Sequence, residues 1–223
     1  MDLDPIWLSL RLAVLTTLIL LVIGIPIAYW LSRKNTVGRL VLEAFITMPL
    51  VLPPSVLGFY LLLAFSPNNK LGNWLQQHFD IQLVFSFEGL VIASLIYSLP
   101  FMISPIKAAF SQLPKSLSEA SYTMGKSKME TFLKVEMPNV KSSILTAVVM
   151  TFAHTLGEFG VVLMIGGNIP GVTRVASIAI YDSVETMDYA AANDYALILF
   201  AITFTLVLAV FLFNRNAIKN PLE

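Results

Sequence analysis

The chain has 223 residues, of which 57% are hydrophobic and only 13% charged, and its formal net charge at pH 7 is zero. An average soluble domain carries about 25% charged residues, and a neutral chain offers no bulk field to attract a nucleic acid or an acidic substrate. The absence of cysteine excludes disulfides and thiolate chemistry, and two histidines, His78 and His154, argue against a histidine-based metal site.

Long runs without charged side chains dominate the sequence. A helix needs about 20 apolar residues to cross the hydrocarbon layer, and five runs meet that requirement. They predict an all-α polytopic membrane protein with five transmembrane helices, at about 9–31, 40–65, 88–110, 140–165 and 194–214. The first run follows two acidic residues, Asp2 and Asp4, and lacks a small-residue cleavage site, so we expect a retained helix rather than a signal peptide.

The distribution of Lys and Arg predicts the orientation. The turn after the first helix, the segment between helices three and four, and the C-terminal tail carry three, six and two basic residues, 11 of the 14 in the chain. Because basic loops stay in the cytoplasm, the N-terminus is expected outside and the C-terminus inside. On the outer side, 70–79 is expected to form an interfacial amphipathic helix with Trp74 at the membrane surface. The outer loop 166–194 is expected to hold a short helix or a re-entrant segment.

The cytoplasmic segment 116–138 has a pattern of its own. Apolar residues recur at helical spacing between polar neighbours, and Ser116 or Ser118 is suited to cap a first helix. Gly125 would then allow a sharp bend, and Pro138 would stand at the start of the fourth transmembrane helix. The segment therefore predicts two short helices joined by a bend.

The residues of this segment also resemble the EAA loop of ABC-importer permeases. Glu119-Ala120-Ser121 is followed at the family spacing by Gly125 and then by Val135, Met137 and Pro138. Ser121 replaces the second Ala of the family pattern, and Met137 replaces the usual Leu. The resemblance implies that the loop docks on an ATP-hydrolysing subunit, with Glu119 and Lys126 offering charged contacts and Ala120 allowing close approach.

Three further segments are similar to molybdate permeases, and this similarity indicates the expected cargo. They are 48–56 (MPLVLPPSV), 156–160 (LGEFG) and 168–174 (NIPGVTR). The resemblance implies an importer of molybdate, with tungstate not distinguishable from it. Two alternatives stay open: a permease for sulfate, thiosulfate or another oxyanion, and, more remotely, an ion-coupled secondary transporter.

The same segments contain the candidate pathway residues. Pro49, Pro53 and Pro54, followed by Ser55, would break the second helix at membrane depth, where free carbonyls are tolerated only against protein or a water-filled cavity. This break is either a plain kink or a cavity wall or gate.

Glu158 is the one acid deep within an apolar run, and Gly157 and Gly160 flank it. Since a charge at that depth is costly, we consider a structural partner for the backbone or for a cation such as Arg11, a lining of the outer pathway, and a proton relay. In the outer loop, Arg174 is either a solvated charge or a contact for a binding protein or an entering anion.

The resemblance implies a whole assembly. We expect a single permease domain over 1–223 with the fold of type I ABC importers, in the lipid of the bacterial inner membrane. Its implied partners are a second copy, two cytoplasmic ATP-binding subunits and a periplasmic oxyanion-binding protein, with no role for nucleic acid. The chain carries no phosphate-binding Gly-x-x-x-x-Gly-Lys run, so we expect a non-catalytic subunit without metal or cofactor, and ATP–Mg in the partner.

Overall fold

A computed structural model of the chain describes residues 2–34 and 36–219, with side chains as far as Leu212. These residues form helices joined by short turns, and no strand occurs among them. The α-helices are α1 Asp4–Ser32, α2 Val37–Thr47, α3 Pro54–Phe65, α4 Lys70–Phe79, α5 Phe87–Gln112, α6 Lys115–Thr123, α7 Lys128–Thr131, α8 Met137–Leu156, α9 Gly160–Gly166, α10 Ala176–Glu185 and α11 Tyr189–Lys219. A 3-10 turn at Met48–Leu50 follows α2, and a π-helical segment at Phe132–Glu136 joins α7 to α8.

Three helices are long and apolar enough to cross a membrane without interruption. They are α1, α5 and the Tyr189–Leu212 part of α11. Two bent pairs pass the same test together, so the described residues hold three spans, or up to five if each bent pair is one span. The predicted basic tail includes Arg215 and Lys219, whose side chains lie outside the described residues.

The second predicted helix, 40–65, is divided in two. The stretch Val37–Val51 meets α3 at an angle of 114°. Pro53 has an extended backbone, with φ −54° and ψ 134°, and immediately precedes α3. Because Pro53 and Pro54 have no amide N–H to continue the helical hydrogen bonds, the chain turns there. The prolines therefore make a sharp corner rather than a mild kink.

The fourth predicted helix, 140–165, is also divided. Its first part continues from Lys128 through the π-helical segment to Leu156, and α9 then leaves at an angle of 55°. The break includes Gly157 and Phe159, neither of which has helical dihedral angles. The second short helix of the cytoplasmic segment is therefore continuous with a membrane helix, and not separate from it as predicted.

The core is built around α1, α5 and α8. Leu20, Met102, Ile103 and Ala147 are buried where these helices meet, and the hydroxyls of Ser98 and Thr155 join α5 to α8 at 2.8 Å. A second cluster toward the other end of α1 combines residues of α1, α5, α9 and α10. These long helices hold the two broken pairs in place.

The surface helices agree with the sequence analysis. Helix α4 covers 70–79 as predicted, and the Asn69 side chain accepts a hydrogen bond from the Lys70 amide at its start. The loop 166–194 contains a short helix, α10, which packs on α11. Its amide at Ala176 donates to the Ser9 hydroxyl at 2.8 Å, so the outer loop is tied to α1.

Candidate functional site

The two half-helices α3 and α9 pack closely against each other. A Cβ atom at Gly58 of α3 would lie 2.7 Å from Cβ of Met164 and 3.1 Å from Cα of Val161. At the other end of the contact, a Cβ atom at Gly160 would lie 2.8 Å from Cβ of Pro54. Only glycine allows both approaches, so the sequence places small residues where the broken helices meet.

This contact brings the two breaks to one cavity of about 450 Å³. Five of the seven predicted pathway residues line it: Pro54, Ser55, Gly157, Glu158 and Gly160. Pro49, which is buried in the 3-10 turn, and Pro53 do not. Segments about 100 residues apart in the sequence thus form one wall of irregular backbone, the kind that membranes tolerate only beside protein or water.

Three aromatic residues that the sequence analysis did not assign to the pathway also line the cavity: Tyr97, His154 and Phe159. The His154 ring stacks on Phe101, with ring centroids 3.9 Å apart, and lies 4.7 Å from the Tyr97 ring. The sequence analysis considered His154 only in arguing against a histidine-based metal site. Its spacing of four residues from Glu158 was the available signal, since such residues share a helix face.

Glu158 is buried at the break between α8 and α9, with 3% of its surface exposed. Neither carboxyl oxygen makes a hydrogen bond of standard geometry within the described residues, although Ser94 of α5 lies close. Arg11 is not its partner, because that guanidinium lies over the Phe87 ring at 4.5 Å. The backbone carbonyl of Glu158 accepts a hydrogen bond from the Ser177 hydroxyl at 2.6 Å, which ties the break to α10.

The predicted cytoplasmic loop forms two arms with a bend between them. Gly125 adopts φ +76°, in the left-handed region, and a Cβ there would meet open space. The hydroxyls of Ser121 and Thr131 are buried and 2.8 Å apart, so they fix one arm to the other. Glu119 and Ala120 lie on the exposed side of α6. The serine that departs from the family pattern is therefore an internal tie.

The caps of the loop differ from the prediction. Helix α6 begins after Pro114 with no side-chain cap, so neither Ser116 nor Ser118 has that role. The capped helix is α7, where Ser127 and Glu130 form a capping box. Further along the loop, Lys126, Val135 and Met137 are partly buried, and Pro138 is exposed in the first turn of α8.

Large apolar side chains are exposed on both arms. Tyr122 and Met124 at the end of α6 are 43% and 75% exposed, and Met129 and Leu133 of the second arm are 64% and 54% exposed. With Glu119 and Ala120 on the same loop, they make a mixed apolar and acidic surface. Such a surface suits contact with another protein better than contact with water.

Glu136 is a central residue of this loop that sequence reasoning did not single out. It is 2% exposed, and both of its carboxylate oxygens accept hydrogen bonds from Arg33, at 2.5 and 2.6 Å. The Ser118 hydroxyl donates to the same carboxylate at 2.6 Å. No local pattern could have found this group, because its partners lie 103 and 18 residues away.

Arg174 is engaged within the chain and is not a free solvated charge. Its Nε donates to the Asn168 side chain at 2.5 Å, and its guanidinium lies 3.2 Å from the Asp182 carboxylate of α10. The Asn168 amide also donates to Asp182 at 2.9 Å. Nearby, the buried Thr173 hydroxyl donates to the Gly166 carbonyl at 2.7 Å. The outer loop is thus a closed network of polar contacts.

Replacing Asp182 with asparagine should have a small effect on stability. The ion pair is partly exposed, at 30% and 39% of the two side chains, and such pairs contribute about 0–1 kcal/mol. We expect the free energy of unfolding of the purified protein in detergent to fall by less than about 1 kcal/mol. A loss above about 2 kcal/mol would mean that the network behaves as a fully buried one.

Comparisons with known proteins match nearly the whole chain. The family model described as "Binding-protein-dependent transport system inner membrane component" matches residues 20–218. The molybdenum transport system permease protein ModB of Azotobacter vinelandii is 46% identical over 192 residues, covering 86% of this chain and 85% of the relative. The sulfate transport system permease protein CysT of Escherichia coli is 32% identical over 189 residues, covering 85% and 68%.

Solved structures match the fold. The MetNI methionine ABC transporter, in an inward-facing conformation, gives a TM-score of 0.72 at 16% identity and covers 95% of this chain and 94% of the matched chain. A bacterial ABC transporter that imports the acidic polysaccharide alginate gives a TM-score of 0.70 at 16% identity, covering 96% and 79%. At such identities the likeness concerns the arrangement of the helices.

Proposed function

The chain belongs to the family of binding-protein-dependent transport system inner membrane components, the permease subunits of ABC importers, and on that premise we propose that its cargo is molybdate. One observation carries the proposal: 46% identity to a molybdenum permease over 86% of the chain. The three segments that resemble molybdate permeases are consistent with it. Two of them, 48–56 and 156–160, include the residues at which the broken helices meet around the cavity.

The family implies ATP-binding subunits and a substrate-binding protein, and we propose how they are arranged. Two copies of the chain pair about a twofold axis, the commonest closed symmetry, because few helices per chain make a poor closed pathway alone. Two ATP-binding subunits hold ATP–Mg and hydrolyse it below the membrane. A periplasmic oxyanion-binding protein docks above, near the loop of Arg174. The N-terminus lies outside and the C-terminus inside.

The loop 116–138 is the proposed contact with the ATP-binding subunits. Its exposed Glu119, Ala120 and Tyr122 would enter the partner, and the internal tie between Ser121 and Thr131 lets the two arms move together. A stiff loop can transmit a displacement that a flexible linker would absorb. ATP can shift the permease between inward- and outward-open states only by the difference in its affinity for them.

The cavity between the broken helices is the proposed section of the pathway. Pro54, Ser55, Gly157, Glu158 and Gly160 line it. Irregular backbone at this depth supplies polar groups that unbroken helices would conceal. Selection among anions needs no tight site here, because the binding protein performs it before the anion enters.

Uptake measurements with purified components test the cargo. The chain is reconstituted in vesicles with its ATP-binding subunits, the binding protein and internal ATP, and uptake of labelled molybdate and labelled sulfate is measured. We expect ATP-dependent molybdate uptake that excess tungstate suppresses and excess sulfate does not.

Sulfate transport is the second candidate function, because a sulfate permease is 32% identical over 85% of the chain. Sulfate uptake with no molybdate uptake would replace the molybdate assignment by this one. Uptake of either anion without the ATP-binding subunits would instead favour an ion-coupled transporter. The matched control is the same vesicle preparation with ADP in place of ATP.

A further inference from the structure

The buried carboxylate of Glu136 joins three parts of the molecule. Arg33, just after α1, donates to both of its oxygens, and Ser118 of α6 donates to one of them at 2.6 Å. Glu136 itself ends the π-helical segment that leads into α8. The exposed arm of the cytoplasmic loop is thereby connected to the first membrane helix through a single side chain.

An aromatic cluster surrounds this polar joint. The Tyr29 hydroxyl accepts a hydrogen bond from Arg33, whose guanidinium also lies over the Tyr29 ring at 4.2 Å. The Tyr29 ring packs edge-on against Phe132, with centroids 4.5 Å apart, and against Phe110 of α5 at 5.2 Å. Because Tyr29 belongs to α1 and Phe132 opens the π-helical segment, these rings pack α1 against the segment that carries Glu136.

Helix α6 has a second side-chain contact with the rest of the chain, and this one involves no charged group. The Ser121–Thr131 hydrogen bond joins α6 to α7, which continues into α8, so it stiffens the loop and ties it to α8 but makes no contact with α1. Within the described residues, Ser118 is the only side chain of α6 with a hydrogen bond to a charged group. π-Helical turns are rare and are frequently found at functional sites. In this chain the π-helical segment is the one that carries Phe132 and Glu136.

We propose that Glu136 is a positioning residue that transmits displacement of the cytoplasmic loop to α1 through Arg33. The inference rests on the proposed function and adds to it a route: α6 moves with the ATP-binding subunit, Ser118 moves the Glu136 carboxylate, and Arg33 carries α1 with it. Glu136→Gln keeps one acceptor oxygen but replaces the other by an NH2 donor that faces Arg33, and it removes the ionic partner of the guanidinium. The loop then still docks but no longer moves α1.

The ratio of molybdate uptake to ATP hydrolysis tests this route in the reconstituted complex. The variants are Glu136→Gln, which keeps the shape, and Ser118→Ala, which leaves the ion pair intact and is mild enough to fold. We expect both to lower uptake by about fivefold or more, the lower range of measured coupling between sites, with ATP hydrolysis within about twofold of wild type. The double variant should lose no more than Glu136→Gln, because both act on one joint.

The matched control is Glu43→Gln, which breaks an ion pair of 2.5 Å with Lys107 between α2 and α5, away from the loop. This variant should keep the wild-type ratio of molybdate uptake to ATP hydrolysis. If uptake and hydrolysis instead fall together, in proportion to the amount of assembled complex, Glu136 only holds the fold and the proposal is overturned. If the wild-type complex imports sulfate and not molybdate, the cargo assignment fails, and the same ratio measured with sulfate decides the role of Glu136.

Discussion

Replacing Gly58 with alanine is expected to destabilise the permease by about 1–3 kcal/mol, the usual cost of overpacking a tight contact. The new Cβ would lie 2.7 Å from Cβ of Met164 and 3.1 Å from Cα of Val161. One of these neighbours is backbone, so the clash cannot be relieved by rotating a side chain. Helices α3 and α9 must separate, and the cavity wall that they share must change with them.

Thermal unfolding of the purified protein in detergent measures the effect, at about 2–4 °C per kcal/mol for a chain of this size. The matched control is Gly38→Ala in α2, where a Cβ meets nothing within 4 Å. There alanine should leave the stability unchanged or raise it by less than about 1 kcal/mol, because Gly38 lies in the first turn of α2 and not in the helix interior. Equal melting temperatures for the two variants would show that α3 and α9 are not in the contact described.

Hydropathy predicts where the helices of this fold lie but not how they bend or pack, and the contact at Gly58 depends on those bends. Hydropathy locates the apolar segments, since each must satisfy its own backbone in lipid. It also identifies α4 at 70–79, where polar and apolar residues alternate at helical spacing. Hydropathy does not reveal that two of the segments bend by 114° and 55°, because the residues before and after each break are apolar alike.

The candidate site was predictable where the residues are unusual in a membrane. Three prolines within six residues and an acid in an apolar run mark the two breaks, and the structure places Pro54 and Glu158 at one cavity. Tyr97 was not predictable as a lining residue, and for His154 the spacing of four residues from Glu158 was the single signal in the sequence. Aromatic side chains are common in membrane helices, and only the packing of α5 on α8 turns these two toward the cavity.

The role of Glu136, in contrast, could not be predicted from the sequence. Glu136 lies between Val135 and Met137, two residues that carry the resemblance to the EAA loop, but is not itself one of them. Its importance here comes from Arg33, 103 residues earlier, and from the depth at which the carboxylate is buried. A sequence motif records which positions a partner or a bend restricts, whereas an ion pair between distant segments leaves no local pattern.

Replacing Gly125 with valine is expected to uncouple ATP hydrolysis from molybdate uptake. At φ +76° an L-residue costs about 1–2 kcal/mol, and a β-branched residue is the least tolerated. Because a Cβ there meets open space, the substitution acts through backbone conformation alone. The loop then either bears the strain or opens the bend, and an energy of that size changes the population of the docked geometry by about 5–30-fold. We expect uptake in the vesicle assay to fall by a similar factor, while the chain still inserts and purifies normally.

The variant Gly125→Asn tests whether the loss of uptake comes from backbone strain at the bend or from any replacement of the glycine. Asparagine adopts the left-handed region more readily than other L-residues, so it should retain most of the uptake that valine removes. The order glycine, asparagine, valine therefore follows backbone strain, because a Cβ at this position meets nothing within 4 Å. Wild-type uptake in Gly125→Val would mean that the angle between the arms is unimportant, and that docking depends on the exposed side chains of α6 alone. Since Ser121 and Thr131 fix that angle from inside the loop, we expect the bend to be required.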